Sequence, residues 1–268
     1  MSAFALGWPD PGFVIAASFA VLLAGISKSG LAGGLGGLSV PILALTVGPS
    51  QALAIMLPIL LLLDGIGLWV FRRAFRRDLL RLLLPGAVLG SLLGWLLFRH
   101  IDEALIKAVI GVESILFALL KLAEGSAAWT GEPRAPDPVR ARIWSTISGF
   151  TSFVSHAGGP PLMQFMLPLR LAPEALVGTV SYYFALINLI KVLPYAQLDL
   201  WSLQSLYTSA GLVILVPLGY WIGLRFLRRV SPALFVKLSI AGLLLTGIKL
   251  CIDAWFAYHE AAAFEPPD

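Results

Sequence analysis

Long apolar stretches separated by short polar breaks dominate the sequence. Six of them are long enough for a helix to cross a bilayer core, which takes roughly 20 residues: 51–71, 79–98, 104–122, 174–195, 202–226 and 233–255. Two further apolar regions are interrupted: a Gly-rich break separates 13–26 from 38–47, and "SHAGGPP" separates 143–154 from 162–169. We therefore predict an all-α polytopic membrane protein with three long transmembrane helices and one broken or re-entrant helical pair in each half.

Composition supports a membrane protein. Hydrophobic residues make up 58% of the 268 residues, charged residues only 13%, and the mean hydropathy is +0.87, which is too apolar for a soluble globule. The net charge of +4 resides in short basic runs between apolar stretches, as in cytoplasmic loops, so we expect no nucleic-acid partner. The first eleven residues lack Lys and Arg, so we expect the first apolar run to be retained rather than cleaved as a signal peptide.

No sequence motif indicates an enzyme. The chain has no HExxH, GxSxG or P-loop motif and no paired carboxylates at helical spacing. Its single cysteine, Cys251, excludes an internal disulfide and a thiolate metal cluster. We therefore expect no catalytic residues, no cofactor and no metal.

The two halves resemble each other when the second is shifted back by about 123 positions. Ser29 then aligns with Ser152, and Gly36 with Gly159. This indicates an internal duplication, with chance similarity between Gly-rich apolar segments as the alternative. We predict a first membrane repeat at 1–123, a cytoplasmic linker at 124–142, a second repeat at 143–256 and a short tail at 257–268.

Arginines predict that the repeats are inverted. In the first half the basic loop follows residues 51–71 and contains Arg72, Arg73, Arg76 and Arg77. The matching loop at 196–201 has no arginine or lysine, and the basic loop of the second half is the next one, with Arg225, Arg228 and Arg229. The positive-inside rule puts matching loops on opposite faces of a bacterial-type plasma (inner) membrane, with both termini outside.

The paired breaks predict a binding site. Inverted repeats with Gly/Pro-interrupted segments form midplane sites in secondary transporters, because irregular backbone at membrane depth must line protein or a water-filled cavity. Glycine lets the chain turn there, and each second half-helix points unpaired N–H groups at its break. Two helix N-termini that face one cavity attract an anion.

The broken segments resemble a known family. "GISKSGLAGGLGGLSVPILAL" and "SGFTSFVSHAGGPPLMQFMLPLRL", followed by "VGTVSYYFALINLIKVLPY", are similar to the signature regions of the sulfite exporter TauE/SafE family, the TSUP permeases. The resemblance runs from about residue 11 to 253, although the first glycine run here is interrupted by Leu35. It implies a polytopic permease for small anions such as sulfite, sulfoacetate or other organic anions.

Candidate substrate-binding residues are those near the breaks and on the helix after the second one. They are Ser27, Lys28, Ser29, Gly33, Gly34, Gly36, Gly37, Ser152, Ser155, His156, Gly158, Gly159, Gln164 and Asn188. Candidates for coupling or an ion pair are His156, Asp64 and Lys191. The most informative of them is Lys28, because a lysine in a membrane needs a bound anion or an acidic partner.

For the candidate lysines, histidine and serines, a structural role is the alternative to substrate binding. Lys28 could form a structural ion pair with Asp64 or snorkel to the membrane surface, and Lys191 could also snorkel. The histidine could cap the turn, and each hydroxyl could bond to its own helix.

The sequence thus predicts a secondary transporter, an exporter of small anions such as sulfite or an organosulfonate. An anion channel on the same scaffold and a proton-coupled importer of an organic anion are the alternatives. The expected partners are the small anion and the lipid bilayer, and the oligomeric state stays open, a homodimer included.

Cysteine labelling tests the predicted topology. In a Cys251→Ser background, we expect Arg76→Cys and Arg228→Cys to react with an impermeant maleimide from the cytoplasmic side, because both positions lie in basic loops. Asp199→Cys should react from outside. Labelling of positions 76 and 228 from opposite faces would contradict the inverted arrangement.

Overall fold

The computed structural model describes residues 10–30, 36–124, 133–226 and 232–263, and every regular element within these ranges is helical. The helices of the first half are α1 Pro11–Gly30, α2 Ser39–Val47, α3 Pro49–Val70, α4 Arg77–Phe98 and α5 Glu103–Glu124, with a 3-10 turn at Gly36–Leu38 before α2. Those of the second half are α6 Pro138–Ser155, α7 Gly159–Met166, α8 Pro173–Gln197, α9 Leu203–Leu212, α10 Leu215–Phe226 and α11 Pro232–Ala263. A second 3-10 turn, Leu167–Leu169, follows α7.

Local sequence explains where many helices begin. Proline is the first residue of α1, α3, α6, α8 and α11. It is favourable there because the N–H of the first helical residue has no partner within the helix, so nothing is lost when proline lacks it. Asp10 accepts a hydrogen bond from the Phe13 N–H at 3.1 Å, and Asp137 accepts one from Arg140 at 2.9 Å. At α9, Ser202 and Ser205 form a reciprocal capping box.

The helices confirm a multi-pass membrane architecture. Within the described ranges five stretches are long and apolar enough to cross a bilayer: Pro11–Ser29, Pro49–Val70, Arg77–Phe98, Pro173–Gln197 and Ile240–His259. The pair α9 and α10 makes a sixth if it is counted as one bent span. Helix α5 is also 22 residues long, but it carries five charged residues and is not among them.

One predicted span, 202–226, is bent rather than a single straight helix. The structure breaks it into α9 and α10, which meet at an angle of 44°. Pro217 supplies the reason, because it has no N–H for the carbonyl of Val213, four residues earlier, and its ring crowds that carbonyl. The Val213 carbonyl instead accepts from the Val216 N–H at 2.9 Å, so the chain tightens and bends there.

The first members of the two broken pairs are longer than predicted. Helix α1 has 20 residues and α6 has 18, because Lys28, Arg140 and Arg142 end an apolar run without ending a helix. Helix α6 therefore includes residues 138–142 of the predicted linker, and α11 continues to residue 263, into the predicted tail.

Helices of the two halves pair reciprocally. In chain order, α1, α2, α3 and α5 of the first half correspond to α6, α7, α8 and α11 of the second. The bent pair of α9 and α10 corresponds to α4. Helix α4 packs mainly on α6. In the second half, α10 belongs to the counterpart of α4, and it packs on α1, which is the counterpart of α6. Helices α5 and α11 pack on each other, as do α3 and α8. Two copies of one unit related by a two-fold axis pack in this way, whereas their opposite orientation in the membrane stays a prediction.

Glycines allow the backbones of these pairs to touch. A Cβ added to Gly90 of α4 would lie 1.9 Å from the Thr146 carbonyl oxygen of α6. In the α1–α10 pair, a Cβ on Gly25 would lie 2.8 Å from the carbonyl carbon of Gly219. The α5–α11 pair is equally close at Gly111. Small residues at helix contacts are typical of membrane proteins, where close packing replaces the hydrophobic effect.

Helix α3 lies at the centre of the bundle. The side chains from Ala52 to Leu57 are fully buried, so neighbours surround this helix on all sides. In contrast, large apolar side chains such as Leu193, Ile214 and Leu245 are more than half exposed on the outer surface, where lipid would cover them.

A methyl group on Gly90 tests the close α4–α6 contact. We expect Gly90→Ala to destabilise the protein by about 1–3 kcal/mol, because the helices must separate. The matched control is Gly211→Ala on α9, where an added Cβ meets nothing within 4 Å. Thermal unfolding in detergent should therefore show a lower midpoint for Gly90→Ala only; equal midpoints for the two variants would contradict this contact.

Candidate functional site

Four helices bring polar side chains together inside the bundle. Helix α1 contributes Lys28, α3 contributes Asp64, and α8 contributes two residues one turn apart. Ser152 and His156 come from the end of α6. We call this set the buried polar cluster: Lys28, Asp64, Ser152, His156, Asn188 and Lys191.

An ion pair forms one end of the cluster. The Lys28 ammonium binds Oδ1 of Asp64, whose side chain is only 2% exposed. Asn188 donates to the other oxygen, Oδ2, at 2.6 Å. The Lys28 Nζ also lies 5.4 Å from the centre of the Phe184 ring, a cation–π distance. Asp64 is therefore satisfied by two donors from two different helices.

The other end of the cluster is Lys191, which is fully buried. Its Nζ lies 2.5 Å from the carbonyl oxygen and 2.8 Å from the hydroxyl of Ser152, and 3.0 Å from Oδ1 of Asn188. The alternative that Lys191 snorkels to the membrane surface is wrong. Its side chain turns inward because α6 and its own helix supply acceptors there.

The partners of Lys191 fit its charged form. Oδ1 of Asn188 must accept, since Nδ2 of the same amide donates to Asp64. The Ser152 carbonyl and the Nδ1 of His156, at 3.0 Å, are acceptors as well. Three acceptors require three N–H donors, which only the ammonium provides.

His156 shapes the second break and joins the cluster. It ends α6 with φ 55° and ψ 17°, the left-handed conformation that usually favours glycine and costs another residue about 1–2 kcal/mol. Its Nε2 lies 3.2 Å from the Leu53 carbonyl of α3, so Nε2 carries the proton and Nδ1 accepts from Lys191. The ring thus links the break to the central helix, which accounts for a histidine where glycine would cost less.

The cluster carries an excess of positive charge. Two ammonium groups face one carboxylate, and the histidine is neutral in this hydrogen-bonding pattern. No group of three or more His, Cys, Asp or Glu side chains in the described residues is arranged to hold a metal. An environment with one uncompensated buried cation can bind an anion.

Two small cavities flank Lys28. The first has a volume of about 10 Å³ and is lined by Lys28, Asp64, Ser181 and apolar side chains. The second has about 20 Å³ and is lined by Ala24, Lys28, Leu60, Ser152, His156, Gly159, Phe184 and Asn188. A water needs about 10–15 Å³, so the second cavity admits about one water. A small anion of the predicted kind is larger than a water, so it would fit only if side chains moved.

A family model described as sulfite exporter TauE/SafE matches residues 17–250 of the sequence. The chain belongs to this family. Comparisons with curated proteins and with solved structures found no match. Membership of the TauE/SafE family, together with the apolar helices, makes the chain a multi-pass membrane transporter.

Two of the other predicted serines of this TauE/SafE chain, Ser29 and Ser155, bond outside the cluster. The Ser29 hydroxyl donates to the Ile26 carbonyl at 3.1 Å and lies against Gly223 of α10. Ser155 donates to Glu113 of α5 at 2.5 Å. Ser27 is fully buried. Of the predicted hydroxyl residues, the structure brings Ser152 to the cavity beside Lys28.

The predicted glycines divide between packing and the cavity. Gly33 and Gly34 lie outside the described residues, and Gly36 belongs to the 3-10 turn before α2. The two breaks meet, since a Cβ on Gly37 would lie 3.0 Å from the Ala157 Cβ. Gly158 packs against Ser148 of α6.

The two half-helices differ in their distance from Lys28. Gly159 opens α7 and lines the second cavity, whereas no described residue of α2 lines either of the two cavities. Gln164, half-buried further along α7, does not line them either. Of the two predicted helix N-termini, that of α7 reaches this cavity, while a role for that of α2 stays a prediction.

Sequence reasoning missed the apolar walls of the site, of which Phe184 and Leu60 are the largest. The signal was helical spacing: Phe184, Asn188 and Lys191 are four and three residues apart, and Leu60 precedes Asp64 by four. Residues at these spacings share a helix face. The positions of Asn188 and Asp64 therefore already indicated the helix faces on which Phe184 and Leu60 lie.

Removing the cation of the ion pair tests its structural role. We expect Lys28→Met to cost about 3–5 kcal/mol of stability, because Asp64 stays buried without a charged partner. In Lys28→Met/Asp64→Asn the buried charge is gone, so the double variant should be more stable than Lys28→Met alone. Thermal unfolding midpoints of the unmodified protein, Lys28→Met, Asp64→Asn and the double variant measure this coupling, and additive losses would show that the two side chains act independently.

Proposed function

We propose that the chain is a secondary transporter that exports a small sulfur-containing anion, sulfite or an organosulfonate such as sulfoacetate. The excess positive charge of the buried polar cluster is the observation that carries this proposal. The family supplies the transporter class and the association with sulfite, while the cluster supplies a reason for an anion to bind.

The cavity of about 20 Å³ is the proposed place of the anion. Around it are a cation, Lys28, and two neutral donors, the Ser152 hydroxyl and the Asn188 amide. The N-terminus of α7 adds the backbone N–H of Gly159, since Pro160 and Pro161 have none, together with the positive end of the helix dipole, which favours negative charge. Sulfite and sulfonate oxygens accept hydrogen bonds from such donors.

A carrier fits the packing better than a channel. The described side chains leave cavities of only about 10 and 20 Å³ beside Lys28, so they close around the proposed site. A carrier opens such a site to one side at a time, which requires a conformational change in each cycle.

Export is the proposed direction because the membrane potential favours it. We propose an inner-membrane orientation with both termini outside and the exposed Arg72 and Arg73 in the cytoplasm. A monovalent anion that leaves a negative interior gains about 2.3 kcal/mol per 100 mV, which supports an outward gradient of roughly 40-fold. Export therefore needs no coupling ion.

Voltage dependence of efflux tests this proposal. Proteoliposomes loaded with methanesulfonate, a monovalent organosulfonate, with the voltage set by potassium and valinomycin and equal pH on both sides, should release the anion faster when their interior is negative. His156→Gln should slow release without abolishing the voltage response, because the ring contributes hydrogen bonds to Leu53 and Lys191 and no obligatory proton.

The matched control is His100→Gln, an exposed histidine at the end of α4, which should behave as the unmodified protein. Efflux that ignores voltage, follows an imposed pH gradient and loses that response in His156→Gln would overturn the proposal in favour of a proton-coupled carrier.

A further inference from the structure

We propose that Asp64 sets the charge of the substrate, so that the site selects monovalent anions and rejects divalent anions of similar size. The inference rests on the proposed function and deepens it, because it names the charge class of the anion: among the proposed substrates it favours hydrogensulfite and disfavours sulfoacetate, whose sulfonate and carboxylate give it two charges at neutral pH. Asp64 then acts as a specificity-determining residue that need not touch the substrate.

The charge count of the buried polar cluster is the first step. Lys28 and Lys191 each contribute one positive charge, Asp64 contributes one negative charge, and His156 is neutral. The net charge is therefore +1. One monoanion neutralises the cluster, whereas a dianion leaves one negative charge in a site that excludes bulk water.

Geometry is the second step, because Asp64 and the proposed anion need not compete for space. The aspartate lines the cavity of about 10 Å³ and not the cavity of about 20 Å³. Lys28 lines both, so its ammonium stands between them. An anion in the larger cavity can thus share Lys28 with Asp64, which remains charged and held by Asn188.

The third step is that, among the described residues, Lys28 is the only cation that lines the larger cavity. Lys191 is already the second cation in the count, and its Nζ is surrounded by neutral acceptors from Ser152, Asn188 and His156. The apolar side chains of Ala24, Leu60 and Phe184 form the remaining walls of the larger cavity. A buried charge without a partner is strongly unfavourable. The apolar lining of the larger cavity therefore disfavours a dianion, as does the net charge of +1 of the buried polar cluster.

Two tetrahedral sulfur anions of similar shape but different charge allow the effect of charge on binding to be measured. Methanesulfonate is a monoanion and sulfate is a dianion throughout the neutral pH range, whereas sulfite itself titrates there. Isothermal titration of the purified full chain in detergent, at fixed ionic strength, gives the Kd of each. We expect the unmodified protein to prefer methanesulfonate.

Charge variants should move this preference in opposite directions. Asp64→Asn raises the net charge to +2 and should shift the ratio of the two Kd values toward sulfate by roughly tenfold or more. Lys191→Met lowers the net charge to zero and should shift the ratio further toward methanesulfonate, so it tests the rule if the first variant does not fold. The matched control is Glu113→Gln, a buried carboxyl outside the cluster that accepts from Ser155, which should leave the ratio unchanged.

The outcomes distinguish this inference from the proposed function. If both anions bind but the folded charge variants keep the ratio of the unmodified protein, charge selection by Asp64 is wrong and the anion site stands. If neither anion binds the unmodified protein, the proposed anion site itself is overturned, and the inference falls with it.

Discussion

The buried ion pair between Lys28 and Asp64 is the interaction on which the interior of this protein depends. Two charges inside an apolar bundle are tolerated only when each has partners, and the two residues lie on different helices. Asn188 extends the pair to Lys191, so α1, α3, α8 and the end of α6 converge on one network. The need to satisfy these groups fixes how the four helices approach each other.

The break after α6 serves both the backbone and this network. A helix that continued past Ser155 would carry the chain away from α3, whereas the left-handed conformation of His156 turns it and points the ring at the Leu53 carbonyl. The same turn positions Gly159 at the start of α7, beside the cavity. Irregular backbone therefore lies where polar groups need it, and the regular helices shield it from lipid.

The sequence predicted the membrane class and the two breaks because apolar runs and Gly/Pro clusters are local signals. It predicted the polar members of the cluster because charged and amide residues are rare in such runs. It could not predict that Lys191 turns inward, since that depends on acceptors supplied by Ser152 and His156 from another helix. The bend between α9 and α10 had a local cause, Pro217, but proline alone does not decide a bend: α4 contains Pro85 and continues as one helix.

The reciprocal pairing of helices has a consequence for biosynthesis. Gly25 of α1 needs Gly219 of α10 as its packing partner, and about 190 residues separate them along the chain. At a synthesis rate of roughly 5–20 residues per second, about 10–40 s pass between the synthesis of α1 and that of α10. During that interval α1 contacts α2 and α3 but lacks α10, its main packing partner, so the nascent first half persists in the membrane as an incompletely packed intermediate.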